Sequence, residues 1–384
     1  MEDFNRYFED HAPGLYLEDR FSRPRRTRFA TGVPAFLGLM PGQTKLHGPV
    51  MLSLWSHFKL YIGEPTQDCN LAYAVHGFFQ NGGRRCYVVV LPSGTAQSLQ
   101  AGLDVISNLN TLDLVCAPDI VKDRNQAFTQ QQMLVYHCEG RGDRFAILDS
   151  RSGDDKDSVW TQWSEINGRN GAIYYPWVKV RGFQSDTVMV PPCGHIAGVY
   201  ARTDHGRGVH KAPANEVLEG VVDLEFHLDN RSQAYLNSRR INCLRAFPGR
   251  GIRVWGARTL SGHNTWMYVN VRRLFLTAVR WIDWHLQDLT FEPNDHVLWA
   301  RIERELTEYF YGQYRHGALK GRTPQEAFYV KCNEETNSQE NCGLGEVVTE
   351  IGLAPANPYE FVVIRLIHGA NGVRITEPER PATL

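Results

Sequence analysis

The sequence predicts an α/β fold with a mixed, largely parallel sheet core and flanking helices. Between about residues 50 and 150, apolar runs typical of strands alternate with segments whose apolar residues recur every three or four positions. The run "RCYVVVL" (85–91) is apolar almost throughout, as expected of a strand covered on both faces. The 384 residues, 42% of them hydrophobic, suffice for a large core.

The first half of the chain supplies the predicted sheet in order. A first core strand is expected at "VPAFLGLMPG" (33–42), which ends at Pro-Gly. The helices that follow are predicted at "CNLAYAVHGFFQNGG" (69–83), "LQAGLDVISNL" (99–109) and "RNQAFTQQQMLVYHCEG" (124–140). The intervening strands are predicted at "RCYVVVL", "LDLVCAPD" (112–119) and "DRFAILD" (143–149). Short strands around 172–180 close this half.

The second half opens with a helix predicted across Ile196 to Arg202, then two strands, 241–247 and 251–259, joined through a glycine-containing turn. Two long amphipathic helices follow. The first places on one stripe Val271, Leu274, Phe275, Ala278 and Ile282. In the second helix, which Asn294 or Asp295 caps, the apolar stripe consists of Leu298, Ile302, Leu306 and Phe310. Further strands are predicted within 345–355 and 358–368.

Composition limits the classes of function. The formal charge of −1 lacks the basic excess of a general nucleic-acid binder. No run approaches the ~18 apolar residues of a membrane span, and the polar, acidic "MEDFNRYFED" is unlike a secretory leader. The eight cysteines are scattered, several inside apolar runs, which favours free thiols in a reducing cytoplasm.

One stretch resembles a phosphate-binding loop, "FPGRGIRVWGARTL" (247–260). Its glycines lack the spacing of a Walker loop or a dinucleotide fingerprint, and a strand rather than a helix follows them. We therefore predict a turn between two strands, in which Arg250, Arg253 and Arg258 brace the core or an interface.

A metal site is conceivable from Cys193, His195, His205 and His210. No i, i+4 histidine pair shares a helix face, however, and a buried thiol with surface histidines is the favoured interpretation. There is also no G-x-S-x-G elbow for a nucleophilic serine. The sequence thus predicts no catalytic, cofactor-binding or metal residues and no cofactor.

Several phrases in the second half resemble the tail sheath proteins of contractile phage tails and contractile injection systems. They occur in family order: "PPCGHIAGVYARTDHGRGVHKAPAN" (191–215), "INCLRAFPGRGIRVWGARTL" (241–260), "YVNVRRLFL" (268–276), "FEPNDHVLWARI" (291–302), "GALKGRTPQEAFYVKC" (317–332) and "GLAPANPYEFVVIRL" (352–366). "PGLYLED" (13–19) resembles the family's opening arm. The polar 150–170 region carries little of the inserted domain of larger members, so the chain resembles the compact, antifeeding-prophage-like extracellular type.

The resemblance implies a structural subunit rather than an enzyme. Such a subunit polymerises helically as stacked, hexameric rings around an inner tube, and contraction drives the tube through a target envelope. The implied partners are the chain itself, the inner tube protein, baseplate and tail terminator or cap proteins, and sheath paralogues, without nucleic acid, membrane insertion or cofactor. Assembly is expected in the bacterial cytoplasm, in a phage tail or a released injection particle.

The resemblance also assigns residues. Terminal strands that pair with neighbouring subunits are implied for Leu15, Tyr16, Leu17, Glu18, Phe361, Val362, Val363, Ile364 and Arg365. A helix over 294–316 is implied to face the inner tube through Arg301, Arg304 and Arg315. Another interpretation of these arginines is that they form intrahelical pairs with Glu303, Glu305 and Glu308.

The implied domains are an N-terminal arm and linker (1–32), an α/β sheath domain (33–190), a C-terminal sheath domain (191–353) and a C-terminal arm and tail (354–384). Two alternatives stay open. One is an α/β enzyme with an unrecognised site, and the other is a non-contractile, sheath-like tail assembly or capping protein.

Overall fold

The computed structural model describes residues 29–184, 186–338 and 345–356, and the backbone of two later strands. The strands are β1 (Pro34–Leu39), β2 (Val50–Leu52), β3 (Cys86–Leu91), β4 (Leu114–Cys116), β5 (Phe145–Asp149), β6 (Gly171–Tyr175), β7 (Val178–Arg181), β8 (Thr187–Val190), β9 (Val221–Leu224), β10 (Asn242–Phe247), β11 (Gly251–Trp255), β12 (Phe328–Lys331), β13 (Val347–Leu353), β14 (Val362–Gly369) and β15 (Gly372–Thr376). The helices are α1 (Ser56–Tyr61), α2 (Asn70–Gln80), α3 (Ala96–Ser107), α4 (Ala127–Arg141), α5 (Lys156–Glu165), α6 (Cys193–Arg207), α7 (Asn230–Ser238), α8 (Val269–Leu286), α9 (His296–Arg315) and α10 (Pro324–Ala327), with short 3₁₀ turns at Asn264–Trp266 and Gln287–Leu289.

The central sheet has eight strands in the order β11-β10-β6-β5-β4-β1-β3-β2. Its six inner strands are parallel, and β2 and β11 pair antiparallel at the two edges. This arrangement confirms the predicted mixed, largely parallel sheet. Helices alternate with the parallel strands because parallel neighbours need a crossover connection.

Both faces of the central sheet are covered by apolar clusters. Successive residues of β1 and β3 alternate between them: Phe36 and Val88 belong to one cluster, and Leu37 and Val89 to the other. Helices α2 and α6 contribute to the first cluster, and α3 and α4 to the second. This two-sided burial explains why β3 is apolar without alternation.

Helices α2 and α6 cross at very short range. A Cβ atom on Gly194 of α6 would lie 2.1 Å from the carbonyl oxygen of Ala74 on α2, and one on Gly198 would lie 2.6 Å from the carbonyl oxygen of Phe78. Both glycines are fully packed in this crossing. The missing side chains let α6, which is longer than the predicted segment from Ile196 to Arg202, seat directly on α2.

The C-terminal half packs around a third cluster, formed by α8, α9 and the sheet that follows them. The two predicted apolar stripes are confirmed, since every residue of both stripes is buried in this cluster. Asp295 caps α9 by accepting hydrogen bonds from the backbone N–H groups of Val297 (2.9 Å) and Leu298 (3.1 Å). The side chain of Asn294 instead bonds Trp299 and the backbone of Glu346.

Two smaller antiparallel sheets complete the described structure. One has the order β8-β7-β9 and lies beside α2. The other has the order β12-β13-β14-β15, and in it β13 pairs with β14 over seven residues, from Val347 opposite His368 to Leu353 opposite Val362. The second sheet is therefore made from the last strands of the chain.

Candidate assembly surfaces

The glycine- and arginine-rich stretch is a hairpin. Strands β10 and β11 pair antiparallel from Cys243 opposite Trp255 to Phe247 opposite Gly251. Gly249 (φ 70°) and Gly251 (φ 73°) adopt the left-handed conformation that a turn of this kind requires. The prediction of a turn between two strands is confirmed.

The three arginines of this stretch contact neighbouring residues, two of them through backbone carbonyl groups. Arg253 donates from Nη1 to the carbonyl oxygen of Asn215 (2.7 Å), and Arg258 donates to that of Asn237 (2.9 Å). The guanidinium of Arg250 lies over the ring of Phe247, 5.8 Å from its centroid. These contacts brace the hairpin and its surroundings, as predicted.

The residues weighed as a metal site do not converge. Cys193 and His195 are buried in the first turn of α6, whereas His205 is exposed near the other end of the helix. Burial, together with the charge of His76, lowers the pKa of His195 to about 4, so this imidazole is neutral at pH 7. No group of three or more His, Cys, Asp or Glu side chains within the described ranges is placed to hold a metal ion.

A buried carboxyl group meets the start of α6. An Oδ1 atom of Asp149, at the end of β5, accepts a hydrogen bond from the backbone N–H of Cys193 (2.8 Å). Burial raises the pKa of Asp149 to about 7, although the contacts with Cys193 oppose the shift. Asp149 is thus a core group whose charge changes near neutral pH.

An ionic cluster that no local sequence pattern indicates lies beneath the start of β1. Arg273 of α8 donates to Asp204 of α6 through two bonds (2.8 and 2.6 Å) and to Asp113 (3.0 Å). Asp113 also accepts bonds from the backbone N–H groups of Gly32 (3.1 Å) and Val33 (2.7 Å). All three charged side chains are buried, so the cluster fixes the entry of the chain into the core.

The same entry segment is also held two turns further along α8. The guanidinium of Arg280 lies 4.7 Å from the ring centroid of Phe29 and donates to the carbonyl oxygen of Ala30 (3.4 Å). Phe29 also contacts Trp284, with 6.3 Å between ring centroids. We call residues 29–33, with the side chains that hold them, the entry clasp.

The predicted tube-facing arginines lie on the outer side of α9. Arg301, Arg304 and Arg315 are exposed, and their spacing of three and eleven residues places them on one side of the helix. Arg301 also makes the intrahelical pair weighed from the sequence, with 3.1 Å between its Nε and the carboxylate of Glu305. Val297 and Tyr311, exposed by 63% and 45%, lie on the same helix.

The predicted arms fall at the limits of what the structure describes. Leu15, Tyr16, Leu17, Glu18 and Phe361 lie outside the described residues. The backbone of Val362, Val363, Ile364 and Arg365 begins β14, which pairs with β13 of the same chain. The other side of β14 pairs with β15, while β12 at the opposite edge of this sheet pairs with β13 alone among the described strands.

Comparison with known proteins gives consistent matches. Residues 94–260 match the family model for the phage tail sheath protein central domain, and residues 261–367 match that for the phage tail sheath C-terminal domain. A tail sheath protein of Salmonella phage ViI is 24% identical over 229 residues, which are 58% of this chain and 35% of that longer protein. A putative prophage major tail sheath protein of Pseudomonas aeruginosa is 24% identical over 287 residues, 71% of this chain and 69% of that one.

Solved structures match over nearly the full chain. The helical sheath of the anti-feeding prophage in its contracted state is 32% identical, with a TM-score of 0.74 over 92% of this chain and 98% of that one. The sheath complex of an extracellular contractile injection system, PVC, in its contracted state is 29% identical, with a TM-score of 0.76 over 92% and 96%. No comparison favours the enzyme interpretation. None of the described helices is long and apolar enough to cross a membrane.

Proposed function

Since this chain belongs to the phage tail sheath family and is a structural subunit of a contractile tail sheath, we propose that its copies polymerise helically, as stacked hexameric rings around an inner tube. Contraction of this lattice drives the tube through a target envelope, and the chain itself catalyses no reaction. The observation that carries the proposal is the match, over 92% of the chain, to sheath subunits solved in the contracted state.

The C-terminal strand connects subunits in this proposal. Strand β13 forms an antiparallel ladder with β14 over seven residues, within a sheet of four consecutive antiparallel strands. The same ladder is satisfied when the segment from Phe361 to Arg365 arrives from a neighbouring copy, because strand exchange replaces like with like. Strand exchange leaves the number of hydrogen bonds almost unchanged. It therefore suits a lattice whose subunits must move past one another while staying connected.

The N-terminal arm is continuous with a segment that buried side chains hold against the core. The entry clasp ties residues 29–33 to buried side chains of α8 and to Asp113. Force on an arm anchored by Leu15, Tyr16, Leu17 and Glu18 in a neighbour is therefore transmitted to the core rather than spent on unravelling β1. A heterologous contact of this kind repeats without closing, which produces a helical polymer.

The inner tube meets α9 in this proposal. Arg301, Arg304 and Arg315 present positive charge on one exposed side of the helix, which suits an acidic tube surface. Baseplate proteins and terminator or cap proteins bind the ends of the same lattice. Sheath paralogues, where present, are incorporated into it. The particle is a phage tail or an extracellular contractile injection particle, and we propose that it is assembled in the bacterial cytoplasm.

Electron microscopy of the purified full-length chain tests the proposal. We expect rods or striated tubules of constant diameter, and we expect deletion of residues 1–28 to abolish them while leaving the thermal unfolding curve of the core unchanged. The deletion ends before Phe29 so that the entry clasp stays intact. A matched point variant, Tyr16→Pro, removes a backbone donor from the arm at constant length and is expected to act in the same way.

Two results would overturn this assignment. One is a full-length chain that stays monomeric and folded at every concentration, with and without the tube protein. The other is a chain lacking residues 1–28 that forms the same tubules, which contradicts the role of the arm.

A further inference from the structure

A cavity of about 330 Å³ lies between α2, α6 and the three-stranded sheet. Its polar lining comes from His76 and Gln80 of α2, Arg181 at the end of β7 and His195 of α6. This cavity is remote in sequence from both arms and from the arginines of α9. No element of the proposed function uses it.

The polar side chains around this cavity are unpartnered. His76, Gln80, Arg181 and His195 make no hydrogen bond or ion pair with the described residues. Gln80 and Arg181 are exposed to solvent and His76 is half-buried, whereas His195 is 2% exposed and its Nδ1 is a buried polar atom without a bond. Native proteins rarely leave a buried polar atom such as Nδ1 of His195 without a partner. A buried imidazole and an exposed guanidinium without protein partners at one cavity favour a polar guest there.

The charge of the lining indicates the sign of that ligand. Arg181 is positive, and burial lowers the pKa of both His76 and His195, which makes their imidazoles neutral at pH 7. No Asp or Glu lines the cavity. A guanidinium with uncharged donors and no carboxylate favours an anionic guest, and the planar fork of arginine matches a carboxylate with two parallel bonds.

The remaining wall is apolar and rigidly held. The ring of Tyr73 and the side chains of Val180 and Val221 supply it. The turn before Val221 is fixed to the end of α2, because the buried Asn81 donates to the carbonyl oxygen of Glu219 (3.0 Å) and accepts from its N–H (2.9 Å). The cavity is therefore preformed, with one polar end and one apolar side.

We propose that this cavity is a binding site for an organic carboxylate, whose charged group pairs with Arg181 and whose apolar part lies against Tyr73, Val180 and Val221. The carboxylate comes either from a small free acid or from an Asp or Glu side chain of a second copy of this chain. Both sources present the same chemistry to the site, and the experiment below separates them.

The probe is 4-fluorobenzoate, observed by ¹⁹F NMR as it is titrated into the full-length chain. We expect saturable binding that falls at least about tenfold in Arg181→Gln, because a charge-assisted pair is lost. The exposed Arg231 of α7 supplies the matched control, Arg231→Gln, which leaves binding unchanged. The neutral 4-fluorobenzyl alcohol has nearly the same shape and is expected to bind at least about tenfold more weakly.

A second variant tests the cavity independently of any indirect effect of replacing Arg181. Val221→Trp fills the cavity from its half-buried wall and is expected to abolish binding while the chain remains folded by circular dichroism. Equal binding of the probe by the unaltered chain, Arg181→Gln and Val221→Trp overturns the proposal. So does the absence of binding to the unaltered chain at about 10 mM probe, a concentration well above that needed for a weak small-molecule site.

Assembled tubules separate the two sources of the carboxylate. If a neighbouring subunit supplies it, probe binding disappears when the chain assembles, and Arg181→Gln raises the concentration needed for assembly. If a free acid supplies it, probe binding persists in tubules and assembly of Arg181→Gln is unchanged. Either result supports a carboxylate site, and neither depends on whether the tubules contract.

Discussion

The central sheet and the C-terminal sheet end in different ways. At one edge of the central sheet, β11 is covered by residues 215–218, whose backbone bonds to Ile252 and Val254 (2.7–3.0 Å). At the other edge, β2 is only three residues long. The C-terminal sheet ends in strands of four and five residues, β12 and β15, each with one partner strand in the described structure. Covered or very short edges prevent further pairing, whereas open ones permit it.

The two regions also use arginine differently. In the core, Arg273 is 3% exposed and shares two carboxylates that are buried as well. On α9, the side chain of Arg301 is 43% exposed and makes a surface pair. The same residue type therefore stabilises the core where it is buried and remains available to binding partners where it is exposed.

The largest expected effect comes from breaking the buried cluster. Arg273→Met leaves Asp204 buried without its arginine partner and leaves Asp113 with the guanidinium of Arg280 at 4.0 Å, so the free energy of unfolding should fall by about 3–5 kcal/mol. Urea denaturation of the chain lacking residues 1–28 measures it. The exposed Arg304→Met is the control and should change stability by less than about 0.5 kcal/mol. Equal effects of the two variants would mean that the buried cluster contributes no more to the free energy of unfolding than an exposed arginine does.

A smaller loss is expected at the crossing of α2 and α6. Gly194→Ala places a Cβ 2.1 Å from the carbonyl oxygen of Ala74, which forces the helices apart and should cost about 2–3 kcal/mol. Gly206→Ala lies on the same helix with open space around its Cβ, and it should stabilise the fold by up to about 1 kcal/mol. Thermal unfolding of both variants checks the opposite signs, and a stabilised Gly194→Ala contradicts the close crossing.

Next in size is a pH effect of Asp149. Its pKa is raised to about 7 in the folded chain, so the folded state binds more protons than the unfolded state between about pH 4 and 7. The stability that Asp149 contributes is fully present below about pH 4, falls as the pH rises from about 4 to 7, and is lost above about 7. The free energy of unfolding of Asp149→Asn, relative to the unaltered chain, should therefore rise by about 1 kcal/mol per pH unit and level off above pH 7.

Subtracting the two curves removes the other titrating groups. The exposed Asp288→Asn serves as the control for removing a carboxylate from the chain. A flat difference for Asp149→Asn between about pH 4 and 7 would show that this carboxyl group is not held in its neutral form.

The smallest effect on stability is expected on α9. Arg301→Gln removes the pair with Glu305 and should cost about 0.5 kcal/mol or less. Arg304→Glu should be equally mild for the fold, yet it should reduce the tube protein retained with the sheath in co-purification, because a positive contact becomes negative. Unchanged tube retention in Arg301→Glu, Arg304→Glu and Arg315→Glu together removes α9 as the tube-facing surface.

Local sequence patterns predicted much of the fold, but not its long-range contacts. The apolar stripes of α8 and α9 and the cap at Asp295 are properties of adjacent residues, so periodicity and capping rules predicted them. The partners of Arg273 are 69 and 160 residues away in sequence, and no pattern connects them. The cavity at Arg181 likewise joins three elements from separate parts of the chain. The arms, with nothing local to pair with, were assigned by resemblance.

Disulfide cross-linking can show whether β13 of one copy pairs with the C-terminal strand of another. Glu350 and Arg365 lie opposite each other in the ladder, a placement within the reach of a disulfide. Tubules are formed from equal amounts of two single variants, Glu350→Cys and Arg365→Cys, and oxidised. All chains carry Cys342→Ser, and the described cysteines are buried. The double variant, oxidised as a monomer, verifies that the two positions meet.

Strand exchange predicts disulfide-linked dimers on a non-reducing gel from the mixed tubules, and none from tubules of either variant alone. Tubules that yield no dimers from the mixture, although the double variant closes its disulfide within one chain, would contradict strand exchange between subunits.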